Sequence, residues 1–224
     1  MPRENYQESL ADLRADVRAM GADVLDQFDL ALEALDRRDA ALARRVFEGD
    51  EAINDRYLAL EQECIDLLAL QQPVAGDLRF VAASFKILTD LERVGDLATN
   101  FGEYALAAEH ADPTDVDVAR IGTLCRDQLT AALDAYADGD AAACRTVARR
   151  DDEVDALCQR ASEAVVRELI AGEAGNDAWA AERLLDDVSR LLLTVRDLER
   201  VGDHAVNVAA RTLYMVEEDP ELIY

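Results

Sequence analysis

Residues 90–100 carry the sequence DLERVGDLATN, and residues 197–207 carry DLERVGDHAVN. Nine of these eleven positions are identical, at an offset of 107 residues. An earlier match, at an offset of 101, pairs residues 32–50 with residues 133–151, and an insertion near 172–177 accounts for the difference. Self-similarity at a fixed spacing is typical of repeat architectures. We therefore expect two homologous units, residues 1–111 and 112–224, which join near Pro113.

The segments between the prolines are rich in Ala, Leu, Glu and Arg, with apolar residues at helical spacing and no alternating strand pattern. This pattern predicts an all-α chain with six helices, at about 3–37, 39–70, 76–109, 113–138, 140–171 and 177–216. Asp112-Pro113 and Asn176-Asp177 are suitable starts for the fourth and sixth helices, because Asp and Asn cap helix N-termini. Three amphipathic helices can bury a core of their own, so each unit is predicted to be a three-helix bundle.

The chain is strongly acidic, with 48 Asp and Glu against 23 Lys and Arg and a net charge of −25. A nucleic-acid binder needs a basic stripe and an anionic membrane repels such a chain, so both partners are disfavoured. Apolar runs such as Leu191–Leu193 are far too short to insert into a membrane. A single lysine, Lys86, and an excess of Asp over Glu favour adaptation to molar salt over a cation-storage function. We then expect far-UV circular dichroism to show a loss of helicity at low ionic strength.

The four cysteines, Cys64, Cys125, Cys144 and Cys158, form no CxxC pair. They match neither a disulfide framework nor a thiolate zinc site. We expect mostly buried or neutral thiols in a reducing cytoplasm.

The repeated segment places oxygen donors along one side of a helix. Glu92, Asp96 and Asn100 fall within about 80° of one another on a helical wheel, outside the centre of the apolar stripe. Glu199, Asp203 and Asn207 do the same in the second unit. Like charges at this spacing destabilise a helix, and a bound cation would reverse that effect. Two interpretations stay open, a functional strip or a polar ridge that caps the core.

Gly95 and Gly202 occupy the same place in the two copies, and Gly inside a helix costs about 1 kcal/mol relative to Ala. Close approach of a backbone or a ligand, or plain helix packing, would explain them. With His110 and His204 as its two histidines, the chain lacks the Glu-x-x-His motifs of a di-iron bundle. It shows no nucleophile or phosphate-loop motif either, which argues against an enzyme.

At this point the sequence resembles the PhoU family, the accessory and regulatory proteins of phosphate-specific transport. The resemblance covers nearly the whole chain. It is carried by Met20-Gly21, by residues 49–54 (GDEAIN) and 72–79 (QPVAGDLR), and above all by Glu-Arg-Val-Gly-Asp at 92–96 and 199–203. It implies a pair of three-helix bundles with pseudo-twofold symmetry.

The resemblance also implies candidate metal ligands, because some family members carry iron or zinc clusters on E/D-x-x-x-D strips. The first cluster would use Asp50, Asn54, Glu92, Asp96 and Asn100. The second would use Asp151, Asp155, Glu199, Asp203 and Asn207. Asn54 replaces a carboxylate in the first cluster, where Glu51 and Asp55 are an alternative acid pair. The cofactor is expected to be a multinuclear iron or zinc cluster, or none.

The function that the resemblance implies is negative regulation of phosphate uptake and homeostasis rather than catalysis. The expected partners are the importer ATPase and, where present, a sensor kinase or a transcriptional regulator. We expect a cytoplasmic protein, a homodimer, from a halophilic archaeon. The alternatives from other classes are a metal-dependent phosphohydrolase and a metal-free helical scaffold.

Overall fold

A computed structural model describes residues 3–70, 74–108, 116–172 and 178–223, without the side chains of 3, 70, 172 and 178–181. Over these ranges the chain forms six α-helices and no strand. They are α1 (Arg3–Arg37), α2 (Ala40–Leu70), α3 (Ala75–Ala107), α4 (Val118–Asp138), α5 (Ala141–Gly172) and α6 (Ala178–Glu217). The all-α prediction is confirmed, and five of the six helices lie close to their predicted limits.

The start of α4 was predicted wrongly. Val116 and Asp117 are not helical, and α4 begins at Val118 instead of at residue 113. Asp117 caps this helix, since its Oδ1 accepts a hydrogen bond from the Arg120 N–H at 2.9 Å. A cap residue is common in acidic sequence, so Asp112-Pro113 was an equally good candidate by composition. Asp112-Pro113, Asn176-Asp177 and His110 lie outside the described residues.

Matching caps open the second helix of each unit. Asp39 Oδ1 accepts from the N–H groups of Ala41 and Leu42 at 2.7 and 3.2 Å. Asp140, its counterpart at the offset of 101, accepts from Ala142 and Ala143 at 2.9 and 3.0 Å. These bonds satisfy N–H groups that the first helical turn leaves unpaired.

The two units pack as three-helix bundles, with contacts among α1, α2 and α3 and between α6 and each of α4 and α5, which also touch each other. The units meet through α1 against α4 and α3 against α6. One apolar core runs through both units. The residues of the apolar stripe on the first repeated segment, Ile87, Leu91, Val94 and Ala98, are fully buried in it. All four cysteines are free and buried, as predicted.

The α1–α4 contact is reciprocal, as a twofold arrangement of repeats requires. A Cβ on Gly21 of α1 would lie 2.7 Å from Leu133 of α4, and a Cβ on Gly122 of α4 would lie 2.6 Å from Leu32 of α1. Gly21 corresponds to Gly122, and Leu32 to Leu133, at the same offset of 101. Each unit therefore supplies the glycine that receives the other unit's leucine.

Candidate functional site: paired acidic clusters

The predicted acidic residues gather at equivalent places in the two bundles, in the groove between the second and third helix of each unit. We call Asp50, Asn54, Glu92 and Asp96 the first cluster, and Asp151, Asp155, Glu199 and Asp203 the second cluster. In the first cluster, burial raises the pKa of Glu92 and of Asp96, and the charge of Asp50 raises both further. Asp50 therefore faces Glu92 and Asp96 across the groove.

The second cluster is assembled in the same way by α5 and α6. Burial raises the pKa of Asp155 and of Glu199, and the charge of Asp203 raises both further. The charge of Asp155 adds to the rise at Glu199. Burial also raises the pKa of Asp151 to about 6, a change that Asp155 and Asp203 increase and a hydrogen bond from Gln128 opposes. Four carboxylates thus share one groove, and burial there disfavours the ionised forms of Asp151, Asp155 and Glu199.

A buried glutamine from the first helix of each unit supports each cluster. Gln27 is 6% exposed, and its Nε2 donates to the Val46 carbonyl at 3.1 Å and to Asp50 Oδ1 at 3.4 Å. Gln128, its counterpart at the offset of 101, is 2% exposed and donates to the Val147 carbonyl at 3.4 Å and to Asp151 Oδ1 at 2.9 Å. Our sequence reasoning missed both glutamines. A polar residue inside an apolar stripe, repeated at the known offset, was the signal that could have found them.

Gly95 and Gly202 make room for these glutamines. A Cβ on Gly95 would lie 3.3 Å from Gln27 Oε1, and a Cβ on Gly202 would lie 3.3 Å from Gln128 Oε1 and 3.2 Å from Asp151 Oδ1. Both Oε1 atoms are buried and, within the described part of the chain, have no hydrogen-bond partner. Close approach of a neighbouring side chain therefore accounts for the two helix-interior glycines.

The two clusters differ at one position that matters for charge. Asn54 Nδ2 donates to Asp50 Oδ2 at 2.9 Å, so both oxygens of Asp50 accept from side-chain amides. Asp155 stands at the equivalent position in the second unit and adds a negative charge beside Asp151. Both central aspartates thus accept from a glutamine amide, but a second amide donates to Asp50, whereas a carboxylate stands beside Asp151.

A second difference concerns the residue one turn further along the helix. The Tyr57 hydroxyl donates to Glu61 Oε1 at 3.0 Å beside the first cluster. Its counterpart Cys158 is buried beside the second cluster, where burial and the charges of Glu199 and Asp155 raise the thiol pKa to about 12. Cys158 is therefore a neutral thiol at neutral pH, as the sequence predicted.

Asn100 and Asn207 do not lie in the clusters but at the contact between the two units. Asn100 Nδ2 donates to Asp197 Oδ2 at 3.1 Å, and Asn207 Nδ2 donates to Asp90 Oδ1 at 3.2 Å. Each repeated segment thus begins with the acceptor and ends with the donor of a reciprocal pair across α3 and α6. Both amides are already engaged with carboxylates, so a structural role accounts for them.

The reciprocal pairs sit in a buried polar network that was not predicted. Asp197 is fully buried and also accepts from Tyr104 at 2.8 Å, Arg196 at 3.1 Å and Arg200 at 3.4 Å. On the other side, His204 Nδ1 lies 2.9 Å from Asp90 Oδ1. His204 replaces Leu97 of the first unit, so the two halves of the network are not identical.

Carboxylate and amide oxygens are donors that a hard cation prefers, and the second cluster is rich in them. Among the residues that the structure describes, however, no group of three or more His, Cys, Asp or Glu side chains is positioned to hold a metal ion. The alternative pair Glu51 and Asp55 is exposed, and the structure brings Asp50 to Glu92 and Asp96 in its place.

The fold and its two equivalent acidic clusters are those of an all-α repeat protein built from two three-helix units. The PhoU domain model matches this chain twice, over residues 17–105 and 118–212. The chain therefore belongs to the PhoU family. No helix in the described ranges is both long and apolar enough to cross a membrane.

Relatives match over most of their length. A phosphate-specific transport system accessory protein PhoU homolog from Caulobacter vibrioides is 37% identical, covering 92% of this chain and 87% of the relative. A PhoU homolog 1 from Methanothermobacter thermautotrophicus is 33% identical, covering 96% and 95%. The crystal structure of PhoU from Pseudomonas aeruginosa superposes with a TM-score of 0.85 at 34% identity, covering 96% of this chain and 100% of that one. The similarity therefore extends across both units.

Proposed function

We propose that this protein is an accessory regulator of a phosphate-specific transport system, acting in the cytoplasm through contact with the importer ATPase. The observation that carries the proposal is the match of the PhoU domain to both units, since the curated relatives are named as accessory proteins of that system. The two acidic grooves offer a partner negatively charged surfaces at equivalent places in the two units. A homodimer and restraint of uptake when phosphate is plentiful are part of the proposal.

Deletion of the gene tests this function in the organism. We expect the deletion strain to take up labelled phosphate faster than the wild type in phosphate-rich medium, and the intact gene to restore the slower rate. A double variant of the second cluster, Glu199→Ala with Asp203→Ala, should fail to restore it. Glu168→Ala, an exposed acid outside both clusters, is the matched control. Uptake that is unchanged by the deletion would contradict the proposal.

The rival function is a metal-dependent phosphohydrolase, which would use carboxylates to hold its metals. Phosphatase turnover measured with added iron, zinc, manganese or magnesium separates the two. We expect no turnover above the rate without protein. Robust turnover that Asp203→Ala abolishes would replace the regulator with an enzyme.

Iron or zinc at the acidic clusters stays a prediction, and the regulator does not depend on it. Elemental analysis of protein purified without chelator or nickel resin tests it. Stoichiometric metal that is lost in the Glu199→Ala, Asp203→Ala variant would support a metal centre. Metal at background level would leave the metal-free scaffold, whose acidic grooves contact a basic partner.

A further inference from the structure

The groove between α5 and α6 continues beyond the second cluster into an exposed apolar patch. Val166, Ile170 and Leu185 lie toward the α5–α6 connection and are 43%, 68% and 52% exposed. Asp155, eleven residues before Val166 on α5, falls within about 20° of it on the helical wheel, and the ion pair of Glu163 with Arg167 flanks Val166. The patch and the cluster therefore share one face of the hairpin.

A heptad ridge on α6 links the patch to the cluster. Leu185, Leu192 and Glu199 follow one another at intervals of seven residues, so they drift by only about 20° per step. Leu192 is half-buried between the exposed leucine and the exposed glutamate. Leu185 and Glu199 are about 21 Å apart along the axis at the rise of a helix. The groove is thus apolar at one end and acidic at the other.

The first unit repeats this order, which argues against chance exposure of single residues. Ile65 and Leu78 correspond to Val166 and Leu185, and they are 45% and 46% exposed. Leu78, Phe85 and Glu92 form the same heptad ridge on α3. Isolated exposed apolar residues need no explanation, but a patch retained at equivalent places in two units does.

We propose that the α5–α6 groove is a docking site for a helical segment of a partner protein, apolar over its first half and rich in Arg or Lys over its second half. A straight groove between two helices accepts an amphipathic helix, and about 14 residues of helix span the distance from patch to cluster. The four carboxylates of the second cluster set the charge that the partner must carry. This inference rests on the proposed function, because it describes how that regulator meets its partner.

Charge decides between this occupant and a second copy of the chain. A symmetric pair of copies would bring two acidic clusters of a chain with net charge −25 into one interface. Like charges placed together suppress such a contact, whereas a basic segment is attracted. The second groove is preferred over the first because Asp155 carries a charge where Asn54 is neutral, and because its patch includes the exposed Ile170, where the first unit has Ala69.

The test uses a fluorescent helical peptide of about 16 residues, with leucines in one half and arginines in the other. Its binding to the full chain is measured by anisotropy, in the lowest salt at which the chain keeps its helical circular dichroism. The control peptide carries the same residues, with leucines and arginines interleaved. We expect the ordered peptide to bind at least about tenfold more tightly than the interleaved one.

Paired variants locate the site. Val166→Glu with Leu185→Glu should weaken binding at least about tenfold, while Ile65→Glu with Leu78→Glu should change it less than about threefold. Asp155→Asn with Glu199→Gln should weaken binding and flatten its salt dependence. Equal binding of the two peptides, or equal loss in both patch variants, would overturn the proposal. A dimer that Val166→Glu with Leu185→Glu dissociates, without peptide binding, would assign the patch to a second copy and overturn it too.

The outcomes separate this inference from the proposed function. If deletion raises phosphate uptake but Val166→Glu with Leu185→Glu leaves peptide binding unchanged, the proposed docking site is wrong and the regulatory function stands. If deletion leaves uptake unchanged but the peptide results are as expected, the proposed regulatory function is wrong and the docking site stands.

Discussion

The two acidic clusters show how a duplicated site can keep its scaffold and change its charge. In the first, Asp50 accepts from Gln27 and from Asn54, so amide donors surround the carboxylate. In the second, Asp151 keeps the glutamine bond, but Asp155 replaces the asparagine. Where Asn54 donates a hydrogen bond to Asp50, Asp155 places a negative charge that repels Asp151. The helices, the glutamine and the glycine around it are alike in both units.

The contact between the units differs in the same manner. Asp197 accepts from four side chains and is fully buried, while Asp90 is 9% exposed and has His204 and Asn207 as its partners. The reciprocal Asp–Asn pairs preserve the twofold relation, and the remaining contacts break it. Symmetry therefore describes the scaffold, and the departures from it mark where the two units can act differently.

The largest loss of stability is expected from substitutions at the contact between the two units. Asp197→Ala should lower the free energy of unfolding by about 3 kcal/mol, because it leaves Asn100 and Tyr104 without their acceptor in a buried interface. Asp90→Ala should cost less, about 2 kcal/mol, since fewer donors depend on it. Urea denaturation at neutral pH gives both values. A smaller loss in Asp197→Ala than in Asp90→Ala would contradict the assigned network.

The next-largest effect is a change in the free energy of unfolding that we expect to have opposite signs in the two clusters. Asp151→Asn should stabilise the protein by about 1–2 kcal/mol at neutral pH, because the ionised carboxylate is disfavoured in the folded state. The native pKa of about 6 exceeds the reference value of 3.8, so the penalty is full above pH 6 and is lost below pH 3.8, where both states are protonated. The stabilisation should therefore disappear in acid.

Asp50→Asn is the matched substitution and should have the opposite sign. An asparagine offers one acceptor oxygen, whereas Asp50 accepts from two amides, so one donor loses its partner. We expect a loss of about 1 kcal/mol at neutral pH. Denaturation curves that show both variants moving in the same direction would remove the difference between the clusters.

The smallest effect compares the two helix-interior glycines. Alanine favours a helix by about 1 kcal/mol over glycine, which works against the steric cost of the added methyl group. At Gly202 that methyl would meet Asp151, Gln128 and Val154 at 3.2–3.4 Å, so Gly202→Ala should be destabilising by about 1 kcal/mol.

At Gly95 the tight contact is with one flexible amide, at 3.3 Å, and Gly95→Ala should change stability by less than about 0.5 kcal/mol. Thermal unfolding of the two variants side by side measures the difference. Equal melting temperatures would mean that the two grooves are packed alike.

Much of the fold could be predicted from the sequence because the repeat and the helical spacing agree. The offsets of 107 and 101 indicated two units, and the apolar stripe around Leu91 and Val94 correctly identified the buried face of α3. The start of α4 was missed because Asp112 and Asp117 are equally good helix caps by residue type, and the sequence alone does not distinguish them.

The sites were predicted in part for a similar reason. A helical wheel places Glu92 and Asp96 on one side, but it gives no information on what faces them from another helix. Asn100 shares that side, yet its partner Asp197 lies on α6, nearly a hundred residues away. The supporting glutamines were missed because Gln27 and Gln128 belong to helices that carry no repeated acidic motif.

The central claim is that the two clusters occupy equivalent places in the two units but differ in charge around Asp151. Carboxyl ¹³C NMR titration of Asp151 in the native protein and in the Asp155→Asn variant tests it directly. The account predicts a pKa near 6 in the native protein and a lower one when Asp155 loses its charge. An Asp151 pKa in the ordinary range of aspartates, unchanged in the variant, would contradict it.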